Sequence, residues 1–272
     1  ANEFTPLIVA LHGGGGTKED FAFNLSLKKT ATVGLDDYNY AFLNALNVGF
    51  LFIQGQTIEK EGTFGWTNNI MVSGQNDKRM LIEVSKMLKN EMGFKQVFLM
   101  GHSMGGTMTN RMWCEAPQFF DGYGSSSGPM SKINFETCDP KVIKPYIHST
   151  GLNDRIIQIK EENIVTGKII DHSKDLFLSL EQLTLLAVGR DAFPVREEQF
   201  ANELRTYPYR ADFMCGQSAG TLQKIPDSEN WQMKVQENCG GKLKMIQYRN
   251  TDHCLRFAEG SNNSSYKCDL PL

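Results

Sequence analysis

The run VFLMGHSMGG at 97–106 constrains this chain more than any other segment. Four apolar residues, a strand-sized stretch, lead into Ser103, which has Gly101 and Gly105 two positions to either side. A helix-like segment from Met104 to Glu115 follows at once and stops before Pro117. A chain that turns from strand to helix at one residue crowds its own backbone, and glycines at those two positions leave room for the neighbouring chain to pass. Strand, GxSxG, helix is the context in which this motif lifts a serine hydroxyl out at the carboxyl end of a sheet. It predicts Ser103 as a nucleophile and a sheet of parallel strands to carry it.

The rest of the chain agrees with such a sheet. Short apolar runs rich in β-branched and aromatic residues recur at 7–11, 48–54, 96–100, 121–125, 145–150 and 243–248. Longer helix-like stretches separate them. The first three runs are continuously apolar, as strands covered by helices on both faces are. Residues 77–92 carry Leu81, Val84, Ser85 and Leu88 at helical spacing and end at Gly93, which predicts a crossover helix with a glycine C-cap. From 155 to 212 the pattern turns to charged and apolar residues at helical spacing, which predicts a mostly helical insertion after the strand at 145–150, either a cap over the site or an elaborated connection. The expected architecture is one domain over 1–272 of the α/β-hydrolase kind, a mostly parallel sheet with helices on both faces.

A serine hydroxyl is a poor nucleophile near neutral pH and needs a base, which in turn needs a carboxylate to orient it. In this fold they follow in the order Ser, acid, His. Of the five histidines, His12 and His102 precede the nucleophile and His148 lies within a strand-like run, whereas His253 follows the last strand-like run by a few residues. His253 is the expected base, with His172 second. Asp154, in HSTGLND just past the strand at 145–150, is the expected acid, ahead of Asp171, Asp175 and Asp252. LHGGGG at 11–16 follows the first strand-like run and suits a loop that offers a backbone N–H to an oxyanion. Gly14 is the favoured donor there and Met104, next to the nucleophile, is the second. Neither GxxxxGK[ST] nor GxGxxG is present, which argues against a nucleotide loop. Tyr38, Phe64, Trp66, Met104 and Trp231 are candidates for a pocket wall; Trp66 and His102 are the expected substrate contacts, with packing alone the equal alternative for Trp66.

The 28 basic and 31 acidic residues are dispersed along the chain with no basic run, which argues against a nucleic-acid partner. No apolar stretch approaches the roughly 20 residues of a membrane span. Six cysteines without CxxC spacing favour disulfides in an exported protein over a zinc site, and local pairing would join Cys114 to Cys138, Cys215 to Cys239 and Cys254 to Cys268. Six buried thiols in a reduced protein are the alternative. Sequons at Asn24, Asn262 and Asn263 permit glycosylation in a eukaryotic source.

Taken together, LHGGGG, FGWTNN, GHSMGG, HSTGLND and the late TDH resemble the extracellular esterases of the polyhydroxybutyrate depolymerase and type C feruloyl esterase group. The resemblance implies a secreted, disulfide-containing serine esterase with Ser103, Asp154 and His253 as its triad and with no metal or organic cofactor. Its substrate would be a small or polymer-linked ester. Two features depart from that group: the segment after the acid is long, and TDHCLRF stands where a glycine-rich histidine motif is usual. A serine peptidase or lipase on the same fold, and a non-catalytic binding module, are the competing readings.

Overall fold

The computed structural model describes residues 5–29, 38–58, 63–68, 74–128, 142, 144–151, 160–163, 168–171, 223–224, 233–238, 241–248 and 253. In chain order these form β1 (Leu7–Leu11), α1 (Lys18–Asn24), α2 (Tyr40–Leu46), β2 (Gly49–Ile53), β3 (Gln56–Ile58), β4 (Thr63–Gly65), and α3 (Asn76–Lys86), which runs on into a π-helical turn at Met87–Glu91. Then come β5 (Val97–His102), α4 (Met104–Glu115), β6 (Gly122–Ser126), β7 (Tyr146–Gly151), β8 (Lys160–Asn163), β9 (Lys168–Asp171), β10 (Gln223–Lys224), β11 (Met233–Asn238) and β12 (Leu243–Tyr248). An 8-stranded sheet has the order β10-β11-β12-β7-β6-β5-β1-β2. It is parallel from β12 to β2 and antiparallel only where β10 and β11 extend it.

Alternation along the strands sorts the helices onto two faces. On β1 and β5 the side chains of Leu7, Val9, Leu11, Val97 and Leu99 are buried in one cluster with Leu81 of α3 and Met108 and Met112 of α4. Leu51 and Ile53 of β2 pack against that same cluster. Phe52, on the other face of β2, meets Phe21 of α1 edge-on at 6.1 Å. Thus α1 covers one face while α3 and α4 cover the other.

Helix α4 is buried at every residue from Met104 to Cys114. Its Arg111, 0% exposed, bonds Glu115 Oε1 through Nε at 2.9 Å and donates through Nη1 to the carbonyls of Thr67 and Gly74, the latter at 2.7 Å. A buried guanidinium tolerates such a site because a carboxylate and two carbonyls accept from its Nε and Nη1, while Nη2 has no partner among the described residues. Glu115 also accepts from Lys78 Nζ at 2.6 Å, joining α3 to α4.

Two expectations need amendment. Within 155–212, read from the sequence as mostly helical, the described residues form an antiparallel ribbon of β8 and β9. The β-branched Ile169 and Ile170 and a nearby Gly167 favour strand and turn, and charge at helical spacing masked that local preference. The remainder of the insertion lies outside the described residues. The helix expected over 77–92 starts at Asn76 and changes to π-helical pairing after Lys86, with Gly93 at φ 77° ending it as foreseen.

The approach of α4 to β1 leaves no space for a side chain at Gly105: a Cβ there would overlap the Leu11 carbonyl oxygen and lie 2.6 Å from that of His12. Gly105→Ala is therefore expected to lower the unfolding free energy by about 1–3 kcal/mol, as overpacked sites do. The urea midpoint reads this. Gly124→Ala is the control, because its Cβ would meet only Met100 Cβ at 3.6 Å, and the midpoint is expected to stay nearly unchanged.

Candidate active site

Ser103 occupies the single-residue turn between β5 and α4 with φ 53° and ψ −118°. A non-glycine residue with positive φ is strained, and such strain persists only where surrounding contacts hold it. Here the Ser103 N–H donates to the Ser126 carbonyl at 2.8 Å, and Gly101 and Gly105 sit so close that a Cβ on Gly101 would overlap the Gly105 carbonyl. The hydroxyl lies at the carboxyl ends of the parallel strands, as the motif predicts.

His253 meets it. Its Nε2 lies 2.8 Å from Ser103 Oγ across 150 residues of sequence, and the ring is 7% exposed. With Nε2 unprotonated, the serine donates, which is the arrangement a general base requires. Asp154 lies outside the described residues. The strand ends on which it and His253 depend are neighbours: Gly151 at the end of β7 is in register with Tyr248 at the end of β12.

The glycine loop after β1 stands against the serine turn. A Cβ on Gly13 would lie 3.4 Å from Ser103 Cβ, and one on Gly14 would lie 3.2 Å from Met104 Sδ. Two of the loop's N–H groups are already engaged: Gly15 donates to the Phe64 carbonyl at 2.8 Å and Gly16 to the Gly13 carbonyl at 3.1 Å. Those of Gly13 and Gly14 have no hydrogen-bond acceptor among the described residues. The Met104 N–H opens α4, where a helix has no internal acceptor and carries the positive end of its dipole.

His12, which sequence order set aside as a base, holds this loop. Its Nδ1 donates to the Gly13 carbonyl at 2.7 Å, while Nε2 accepts from the Gly55 N–H at 2.9 Å and from the Gln54 amide at 3.0 Å. This pattern needs the neutral ring with its proton on Nδ1. Burial lowers the His12 pKa below its ordinary 6.5, against smaller opposing effects of the Gly13 carbonyl, Asp20 and Glu19. The signal in sequence was a histidine directly before four glycines; its role appears only when β2 is laid beside β1. Thr17 then caps α1, with its hydroxyl and N–H reciprocally bonded to Asp20. This Thr-x-x-Asp box was also present in the sequence.

Trp66, an expected substrate contact, is instead a core residue. It is 1% exposed, and its indole N–H donates to the His12 carbonyl at 2.8 Å, so it braces the loop from beneath. His102 is half-buried, with its ring centroid 5.0 Å from that of His253 and 6.5 Å from that of Phe21. It flanks the base. Phe64 is partly exposed and binds the loop by its carbonyl; Tyr38 lies beyond β2; Trp231 lies outside the described residues. Cys114 is disulfide-bonded. The other five cysteines, its partner among them, fall outside the described residues, as do His172, Asp175 and Asp252. No described helix is long and apolar enough to cross a membrane.

A mostly parallel sheet with helices on both faces and a strained serine between strand and helix define the α/β-hydrolase fold. No protein-family model matches the chain, and no curated protein matches it. Among solved structures it is similar to an acetyl xylan esterase from Aspergillus awamori, with 12% identity, 93% of this chain and 85% of that chain covered, and a TM-score of 0.54. Esterase PE8 shares 15% identity over 57% of this chain and 73% of its own, with a TM-score of 0.43. A Bacillus cereus carboxylesterase shares 16% identity over 57% and 69%, with a TM-score of 0.37.

The direction of the His12 shift sets an expected pH dependence. Between the lowered folded value and 6.5 the unfolded chain binds the extra proton, so the stability His12 contributes is complete above pH 6.5 and lost as pH falls below it. His12→Gln, which keeps an acceptor near the Gly55 N–H, is expected to flatten this fall. Thermal midpoints of both proteins from pH 8 to 5 test it; parallel slopes would show that His12 is not the titrating group.

Proposed function

We propose that the protein is a carboxylic ester hydrolase that works through an acyl-enzyme. One observation carries this reading: the strained Ser103 hydroxyl lies 2.8 Å from His253 Nε2. His253 takes the hydroxyl proton as Ser103 Oγ attacks the ester carbonyl. The tetrahedral intermediate's oxyanion accepts from the Gly14 and Met104 N–H groups, which are the donors left by the loop's own bonding and by the helix start. Collapse expels the alcohol, which leaves with the proton returned by His253. Water then attacks the acyl-serine by the same route, releasing the acid and restoring the serine.

Asp154 is the proposed acid. It follows Gly151 by three residues, His253 follows Tyr248 by five, and those two strand ends are adjacent in register. Such an acid holds the imidazole in the reactive tautomer and stabilises the imidazolium. The proposed substrates are esters on plant polysaccharide, feruloyl or acetyl, or short polyhydroxyalkanoates. This rests on the sequence resemblance to the polyhydroxybutyrate depolymerase and type C feruloyl esterase group and on the fold similarity to a protein described as an acetyl xylan esterase. The disulfide at Cys114 supports an extracellular setting, where such bonds persist, and the pairings Cys114–Cys138, Cys215–Cys239 and Cys254–Cys268 are proposed with it. The single domain over 1–272, with an insertion at 155–212, belongs to the same proposal.

The test is turnover of p-nitrophenyl acetate, methyl ferulate and longer acyl esters by wild type, Ser103→Ala, His253→Ala and Asp154→Asn. Each substitution is expected to lower kcat by roughly 10⁴-fold or more, the loss typical of triad members. Undiminished turnover by Ser103→Ala would overturn the mechanism, and an inert wild type would favour a binding module.

A further inference from the structure

We infer that His102, the residue just before the nucleophile, is a positioning residue whose ring holds the His253 imidazole against Ser103 by its shape. Strand alternation puts it there. Val97 and Leu99 of β5 join the core with residues of α3 and α4, so Phe98, Met100 and His102 point to the side that α1 covers. The chain leaves the strand at Ser103, which makes His102 the last side chain that β5 presents on that side. A single peptide unit ties its position to that of the nucleophile.

Three contacts of this ring carry the inference. The first is with Phe21 of α1, whose centroid is 6.5 Å away and whose plane is within 20° of parallel. Phe21 is 2% exposed and meets Phe52 of β2 edge-on, so it is a fixed backing. The second is with the glycine loop: a Cβ on Gly13 would lie 3.4 Å from His102 Nδ1. The third is with the base itself, at 5.0 Å between centroids and 44° between planes. That separation lies inside the roughly 4.5–7 Å over which rings interact. One side chain thus meets α1, the glycine loop and His253.

A base in this position needs such a contact. His253 follows the end of β12 by five residues, and its Nε2 meets Ser103 Oγ at 2.8 Å. Hydrogen bonds at its two nitrogens, the second to the proposed acid, fix two points of the imidazole. The ring can still rock about the line through them. A neighbouring ring backed by Phe21 opposes that motion, and holding reacting groups in line contributes strongly to rate. Shape carries this role and charge would work against it. A cation at that distance would oppose the imidazolium that His253 becomes during attack.

The inference rests on the ester-hydrolase reading, which gives His253 a proton to move. Its test is the kinetics of His102→Ala and His102→Phe on p-nitrophenyl acetate and p-nitrophenyl butyrate, with rates taken per folded molecule as read by circular dichroism. His102→Ala is expected to lower kcat about tenfold or more on both esters and to leave KM within about twofold, the pattern of a misaligned reacting group. His102→Phe keeps a flat ring that neither ionises nor hydrogen-bonds, and is expected to bring kcat back to within about threefold of wild type. A raised KM with unchanged kcat would overturn the inference in favour of a substrate contact. A His102→Phe as slow as His102→Ala would overturn it in favour of the ring nitrogens. If His102→Ala does not fold, His102→Asn, polar but without a ring, takes its place with the same expectations. A wild type inert towards both esters would refute the ester reading and the inference with it. An active wild type matched in kcat by His102→Ala would refute the inference alone.

Discussion

The contact of α4 with the strand ends at Gly105 is the constraint on which the rest of the site depends. Backbone meets backbone there, against the carbonyls of Leu11 and His12, and the same approach brings the serine turn and the glycine loop together. A larger residue would push the helix off the sheet and carry Met104 away from Gly14. The strain at Ser103 is a consequence of that closeness, held by the bond from its N–H to Ser126 and by a helix buried along nearly its whole length. Core packing therefore sets the geometry of the serine turn and the glycine loop.

His12 and Trp66 extend this from beneath. A neutral imidazole ties the Gly13 carbonyl to the exit of β2, and an indole N–H satisfies the carbonyl of His12 itself. The loop has no side chains of its own to hold it, and these two residues replace them. Its two engaged N–H groups are bound by Phe64 and Gly13, so the orientation of the remaining donors follows from hydrogen bonds made elsewhere.

Much of this was legible before the structure. Strands β1 and β5 read as continuous apolar runs because helices cover both their faces, and the Ser103 turn was legible because its glycines have one physical purpose. Strand β11 was missed: Met233 and Val235 alternate with polar residues, and a six-residue alternation is a weak signal. Strands β3 and β4 have three residues each, too few to show a period. Trp66 was open between pocket wall and packing, because an aromatic residue near a site has the same sequence signature whether its ring faces substrate or core; its burial selects packing. His12 was dismissed by chain order, although order excludes only the catalytic part and says nothing of bracing.

The adjacency of β7 and β12 has a meaning for how such a chain can change. Every residue between them in sequence, including the long segment after Gly151, leaves and returns through neighbouring strands whose register is fixed by their own ladder. That ladder acts as a clamp on the two loops that would carry acid and base, and β11 keeps β12 from being a frayed border. The excursion between the strands can lengthen, shorten or acquire a new fold without altering the distance from Ser103 to His253. That segment can thus vary while Ser103 and His253 stay where the sheet holds them.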